Sequence, residues 1–370
     1  MKIGVPKEIK NHEYRVGLVP SSVRELTRLG HQVFIETFAG SEIGFSDGDY
    51  QAAGGEILKS PQEVFSVSDM IIKVKEPQPS EYPLLKEDQI LFTYLHLAPD
   101  PQQTQALIRS KCVAIAYETV TDSQGRLPLL APMSEVAGKM SIQVAASFLE
   151  KEKGGAGVLM GGIPGVEPAV VTIIGGGVVG SNAARIALGM GAEVNILDKN
   201  PQRLNELDWM FGGKVKTIFA SQENISLYVK KANVVVGAVL VAGGAAPKIV
   251  SREMIASMGK GSVVVDVAID QGGCFETSKP TSHKNPTYLV EGVIHYCVTN
   301  MPGAVARTSA MGLNNATLPF VLDIVQKGYR NALINNVHLR NGLNVFYGQV
   351  TQELVAQEMK LPFADPMSLL

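Results

Sequence analysis

Charge is scarce in this chain. Asp, Glu, Lys and Arg together make up 18% of its 370 residues, and the formal net charge is -2. With a pI near 6.3, no basic surface is expected, so nucleic acid and anionic membranes are excluded as electrostatic partners. Cysteine is scarcer still. Cys112, Cys274 and Cys297 are odd in number and lack metal-ligand spacing, which excludes a disulfide framework or a cysteine-bound metal. They read as small buried residues in a reducing, cytoplasmic setting. No apolar run is long enough for a membrane. Val234 to Pro247 is shorter than the roughly 20 residues a span requires, and its glycines suit a buried strand and its turn. The start, Met1 to Glu8, lacks the apolar segment of a secretory leader. There is no internal repeat, no H-E-x-x-H and no acidic cluster, so no metal is expected.

Glycine, by contrast, is plentiful at 37 residues, and hydrophobic residues make up 45%. This combination suits buried parallel strands joined by tight turns. The length predicts two domains. Lys2 to Pro6, His31 to Glu36, Met70 to Val74, Gln89 to Tyr94 and Val113 to Tyr117 read as strands. A helix through Val23 to Leu29 would be capped by Ser21 or Ser22 and ended by Gly30. Ser134 to Glu150 reads as a long helix connecting the domains, with Val136, Met140, Val144 and Phe148 on one face. A second sheet follows in Ala169 to Ile174, Glu193 to Leu197, Val234 to Val239 and Ser262 to Val267. From Ala304 the chain reads as helical, with Leu313 to Leu333 as one long helix. Too little chain remains for a third domain, so these helices should return to the first. The fold expected is α/β: two doubly wound parallel-sheet domains, the first discontinuous. The boundaries expected are residues 1–130 with 304–370, and 131–303.

The strongest motif is Val170-Val-Thr-Ile-Ile-Gly175-Gly-Gly177-Val178-Val179-Gly180. An apolar strand runs straight into G-x-G-x-x-G, then into a helix from Ser181 to Met190, then into a strand ending at Asp198. This is the Rossmann dinucleotide fingerprint. Gly175 permits the tight turn, Gly177 lets a pyrophosphate approach the backbone, and Gly180 lets the helix pack on the strand. Asp198 can accept hydrogen bonds from both adenine-ribose hydroxyls and would repel a 2′-phosphate, favouring NAD. Lys199 and Arg203, close by and basic, leave NADP open. The plainer reading is a tight turn with no ligand.

Polar residues after apolar strands are candidates for chemistry, because ligands bind at the carboxyl ends of such strands. Lys75, His96, Glu118 and Asp270 stand in that place, and Arg15 follows the first strand within Asn11 to Val16. A histidine can serve as acid and base near neutral pH. Arginine and lysine can hold a substrate carboxylate. Each also has a plainer role: His96 as a core histidine, Arg15 and Lys75 as solvated charges, Glu118 as a partner of a nearby cation, Asp270 as a turn cap. His283 and His338 look exposed, and Asp323 with Lys327 suits a surface ion pair.

Taken together, Met1 to Glu8, Glu13 to Val16, Lys73 to Pro77, Leu91 to Leu97, Ala131 to Gly138, Gly161 to Val166, Asp266 to Gly273 and Asn300 to Pro302 resemble the L-alanine dehydrogenase family nearly end to end. The resemblance implies that Arg15 and Lys75 hold the substrate carboxylate, His96 is the acid/base and Asp270 assists deamination. It implies an NAD site lined by Ser134, Asp198, Arg203, Val239, Leu240, Val267, Ala268, Ile269, Asp270, Val298, Thr299, Asn300 and Met301. It implies a homohexamer acting on L-alanine, pyruvate and ammonium. Some members bind magnesium through an acidic residue and a histidine one helical turn apart; Asp323 and Lys327 stand at those positions, and lysine cannot be that ligand. Many relatives also have lysine where this chain has Arg203. The alternative is the nucleotide-binding component of a proton-translocating transhydrogenase, which the intact set of Arg15, Lys75 and His96 disfavours. Opine-type dehydrogenases and a non-enzymatic NAD sensor are further rivals.

Overall fold

Short β-branched runs bounded by glycine, proline or charge make the strands of both sheets. The structure, a computed structural model, describes residues 1–239 and 246–370. It divides into two units, Met1–Met133 with Val305–Leu370, and Ser134–Ala304. The first holds β1 (Lys2–Val5), β2 (Gln32–Glu36), β3 (Glu56–Leu58), β4 (Met70–Ile72), β5 (Ile90–Thr93) and β6 (Val113–Ala116). The second holds β7 (Val170–Ile174), β8 (Glu193–Asp198), β9 (Lys216–Phe219), β10 (Val234–Gly237), β11 (Val263–Asp266), β12 (Thr287–Val290) and β13 (Val293–Tyr296). The chain then adds β14 (Leu343–Phe346) and β15 (Gln349–Val350) to the first unit.

The first sheet runs β15-β14-β6-β5-β4-β1-β2-β3, and the second β12-β13-β11-β10-β7-β8-β9. Within each, six parallel strands follow the doubly wound order, and the winding reverses between β1 and β4 and between β7 and β10. The central strands are buried on both faces. Val234, Val235 and Val236 of β10 and Val263, Val264 and Val265 of β11 are fully buried, which is why they read as unbroken apolar runs. In the first unit one face of the sheet packs a core including Ile3, Val5, Ile72, Phe92 and Ile115, and the other packs Ile71, Leu91 and Ala114.

The expected α/β, doubly wound architecture is present, with four differences. Neither sheet is wholly parallel: β12 pairs antiparallel with β13, and the β14–β15 hairpin lies antiparallel on β6. The chain after Ala304 is therefore not all helix. The first helix is Pro20–Arg28, with Val19 rather than a serine at its N-cap. Proline at the first helical position has no N–H to satisfy, and the Val19 N–H donates to Asn314 Oδ1 at 2.8 Å. The long C-terminal helix is two: Ala306–Lys327 and Tyr329–Asn335, separated by Gly328 at φ +77°. That backbone conformation suits glycine and stops a helix.

Candidate active site

In the first unit the loops after β1, β4, β5 and β6 leave the same carboxyl edge of the sheet, around the point where strand order reverses. Arg15 stands on the loop after β1 and is not a solvated charge, being 2% exposed. Its Nε donates to Glu13 Oε1 at 2.6 Å, its Nη2 to Glu13 Oε2 at 2.5 Å, and its Nη1 approaches Met133 Sδ at 2.9 Å. Burial raises the carboxyl of Glu13, but the Arg15 hydrogen bonds and charge outweigh it and hold the group below its ordinary value.

Lys75 follows β4 and is half-buried. Burial, and then the positive charge of nearby Arg15, hold its ammonium below the usual lysine range. Among the described residues no carboxylate lies within ion-pair distance of it. Two cations thus share a region in which the carboxylate of Glu13 is bonded to Arg15 through both oxygens.

His96 follows β5 and is not a core histidine, its side chain being 51% exposed. Its φ is +49°, a left-handed conformation that costs a residue other than glycine energy and that neighbours must enforce. Glu118, after β6, does so. Its Oε1 accepts the His96 N–H at 2.5 Å and both its oxygens accept the Leu95 N–H at 3.2 Å. Glu118 Oε1 also lies 3.8 Å from His96 Nδ1. The imidazole is parallel to the Tyr94 ring, 3° between planes, and Tyr94 is buried with its hydroxyl donated to Leu129 O at 2.6 Å.

In the second unit Gly175 adopts φ +100°, and a Cβ there would meet Ala238 O at 2.6 Å. A Cβ on Gly180 would lie 1.9 Å from Gly175 O, whereas on Gly177 it would meet nothing within 4 Å among the described residues. The helix Val178–Gly189 starts at Gly177 with no side-chain cap, so its first N–H groups are open to an anion. Asp198 Oδ2 accepts the Gly176 N–H at 2.7 Å and Oδ1 accepts Asn200 N–H at 2.8 Å. A carboxylate has about four acceptor sites, which leaves capacity for a diol. Arg203 donates to Gly176 O and to Glu206, both at 2.7 Å. These residues fit a dinucleotide: open space at one glycine, close packing at another, and a part-used acid at the end of β8.

The other expected cofactor residues gather on the same edge of that sheet. Val239 follows β10, and Val267, Ala268, Ile269 and Asp270 form a turn of 3-10 helix after β11. Val298, Thr299, Asn300 and Met301 follow β13. Ser134 lies one turn before Gly138, where a Cβ would meet Val179 O at 2.3 Å. Leu240 lies outside the described residues. Asp270 belongs to this unit, whereas His96, Lys75 and Arg15 belong to the first. Asp323 and Lys327 form the expected ion pair at 2.5 Å. His283 and His338 are half-buried rather than exposed, bonded to Asn300 O and Thr121 Oγ1.

Four charged residues in these loops carry weight that sequence reasoning did not assign. Lys73, fully buried, meets Glu8 Oε2 at 3.2 Å and Glu81 Oε1 at 2.9 Å. Burial opposes its charge, but the two acids push its pKa up to about 12. Asp266, also fully buried, accepts Ala268 and Cys274 N–H at 3.1 and 2.9 Å and a Ser278 hydroxyl, so it shapes the turn carrying Asp270. Asp266 gave a sequence signal, a charge at the end of an apolar strand.

Family models described as Alanine dehydrogenase/PNT, N-terminal domain and C-terminal domain, match residues 4–137 and 141–353. An alanine dehydrogenase of Methanococcus maripaludis is 58% identical over 364 residues, 98% of each chain. A solved L-alanine dehydrogenase is similar at TM-score 0.95 and 51% identity, covering 97% of this chain and 99% of its own. A solved transhydrogenase from Sinorhizobium meliloti, 23% identical at TM-score 0.83 over 95% of this chain and all of its own, shares the fold.

Proposed function

Because this chain belongs to the alanine dehydrogenase/PNT family, we propose that it catalyses the NAD-dependent oxidative deamination of L-alanine to pyruvate and ammonium, and the reverse, reductive amination of pyruvate. The observation that carries the reading is the cation pair at the reversal point of the first sheet. Arg15 is buried, Lys75 lies near enough to feel its charge, and His96 stands on the next loop of the same edge. That set suits a small carboxylate with a reacting group beside it.

Arg15 and Lys75 hold the substrate carboxylate, the first through hydrogen bonds and the second as a point charge. Positioning of this kind lowers a barrier by several kcal/mol, up to about 10. NAD held at the glycine turn would supply the acceptor for the α-hydrogen of alanine and its electron pair, and the amine would become an imine. Water adds to the imine carbon, and His96 takes and returns the protons that carry the carbinolamine to pyruvate and ammonium. Its exposure and the Glu118 clamp on its backbone favour that task. Asp270 orients the water or stabilises the cationic intermediate. Alanine, NAD and water thus give pyruvate, ammonium, NADH and a proton.

Gly175, Gly177, Val178, Val179 and Gly180 cradle the pyrophosphate. Asp198 would take the adenine ribose, and Ser134, Val239, Val267 to Asp270 and Val298 to Met301 would line the rest. The engagement of Arg203 with Glu206 supports NAD over NADP, since less positive charge is left for a 2′-phosphate. Two finer statements go with this reading: a homohexamer, which the resemblance implies and light scattering tests, and a cytoplasmic location, which rests on the cysteine usage. No helix of the described residues is long and apolar enough to cross a membrane.

The deciding assay follows NADH absorbance with purified protein, NAD and L-alanine at alkaline pH, with NADP and other amino acids in parallel. Turnover with L-alanine and NAD supports the assignment. NAD binding with no amino-acid oxidation refutes it.

A further inference from the structure

We propose that Glu8 is a positioning residue of the substrate-carboxylate site, fixing Lys75 through the peptide backbone; this rests on the reading of Lys75 as a carboxylate-holding group. β4 has three residues, Met70–Ile72, and its ladder ends before Lys75. The chain beyond needs other partners to hold one course. Glu8 Oε1 accepts the N–H of Val74 at 2.6 Å and of Lys75 at 3.2 Å. Thr93 Oγ1 donates to Lys75 O at 2.9 Å. The peptides on both sides of the Lys75 Cα are therefore held, one by the loop after β1 and the other by β5.

The second oxygen of Glu8 is held too. It meets Lys73 Nζ at 3.2 Å, and Lys73 meets Glu81, whose other oxygen accepts the Gln78 N–H at 2.7 Å. Glu8, Lys73 and Glu81 are 6%, 0% and 2% exposed. Buried charges of this kind are a poor source of stability, since apolar residues of like volume often serve as well. An apolar side chain could fill the space of Glu8 but could not accept two amides. Its place also matters. Glu8 follows β1 and the amides follow β4, so the carboxylate bridges the two strands between which the order reverses. Its charge further acts on Arg15, the second cation expected to hold the substrate.

Glu8→Asp and Glu8→Gln separate reach from charge. Aspartate keeps the charge opposite Lys73 but is one methylene short of the amides. Glutamine keeps an oxygen within reach and loses the charge. With full-length protein, the readouts are kcat, KM for L-alanine, NADH affinity by fluorescence, melting temperature, and the acetylation rate of Lys75 relative to Lys216 by mass spectrometry. Glu8→Asp is expected to raise KM at least about tenfold, because a misplacement of about 1 Å costs a positioned site that much. NADH affinity should stay within about twofold and relative Lys75 acetylation should change at least about threefold. Glu8→Gln should lower the melting temperature yet keep KM within about threefold.

The opposite order, with glutamine the worse for KM, would overturn the proposal in favour of the ion pair alone. So would a folded Glu8→Asp protein with unchanged KM and Lys75 acetylation. If Glu8→Asp does not fold, Glu8→Gln decides: KM within threefold supports the proposal and a tenfold rise overturns it. If the unmodified protein does not oxidise alanine, the proposed function fails, and acetylation decides the positioning role by itself, a changed rate in Glu8→Asp supporting it and an unchanged one overturning it.

Discussion

Two glycines of one turn should fail in opposite ways when a methyl is added. At Gly180 the new Cβ would lie 1.9 Å from Gly175 O and 3.2 Å from Ile173 Cγ2. The first is backbone and cannot swing aside. Ordinary contact begins near 3.4 Å, so the start of the helix Val178–Gly189 must move by about 1.5 Å. Overpacking of that kind costs about 1–3 kcal/mol, or roughly 2–4 °C of melting temperature per kcal/mol for a unit of this size. At Gly177 the methyl would meet no atom of the described residues within 4 Å. Gly177→Ala should therefore melt within about a degree of the unmodified protein. Its NADH affinity should nevertheless fall about tenfold or more, near 1.4 kcal/mol, because the methyl stands where a pyrophosphate approaches the backbone. Gly180→Ala should lose both stability and affinity. Fluorescence titration with NADH and melting by circular dichroism read the two quantities separately. Undiminished NADH binding by Gly177→Ala would refute the placement of the phosphates at this turn.

His96→Ala should cut turnover by roughly two or more orders of magnitude while NADH affinity holds; near-normal turnover removes His96 as the acid/base. Glu118→Ala frees the Leu95 and His96 amides that Glu118 holds, so kcat should fall about tenfold or more with NADH binding intact. The depressed pKa of Lys75 means its positive charge is present below that pKa and lost as pH rises through it. Pyruvate, which has no amine, should therefore bind more weakly from a pH below the ordinary lysine value of about 10.4, and Lys75→Arg should shift the loss upward. A flat calorimetric profile across that range contradicts this. Lys73→Met leaves Glu8 and Glu81 buried without their cation and should cost about 3–5 kcal/mol in urea unfolding at neutral pH. The deficit should shrink in acid as Glu8, whose carboxyl burial raises above its ordinary value, protonates, and a deficit independent of pH counts against that cause.

Local pattern carried much of this fold. Val170 to Gly180 announced strand, turn and helix together because each residue there answers to a neighbour in sequence. The same holds for β5 and β6, which emerge within a residue or two of their apolar runs. Elements that depend on distant partners were not legible. β3 and β9 are half-exposed, so they lack a continuous apolar run. β14 is fully buried, but its partner β6 stands far back in the chain. Gly328 breaks a helix that hydrophobic spacing alone would continue. In the candidate site, Lys75 and His96 could be found because each follows a strand. Glu8, Lys73 and Glu81 could not, since in sequence each looks like a solvated charge and only long-range folding makes them partners.

Both sheets follow one strand order, so the order itself cannot say which of them takes a dinucleotide. The connection after the first strand distinguishes them. β7 passes at once into Gly175 to Gly180 and an uncapped helix start, leaving backbone N–H groups and open space where phosphates bind. β1 passes into Pro6, which has no N–H to offer. Its chain then runs on through Glu8, Glu13 and Arg15 before the helix Pro20–Arg28 begins. A longer loop brings side chains rather than bare backbone to the reversal point, and those side chains are charged, buried and paired. On the proposed reading, an anion at the first sheet is met by the side chains of Arg15 and Lys75. The extended diphosphate fits the second sheet. On that reading, one architecture used twice separates two binding tasks through the length and composition of a single loop.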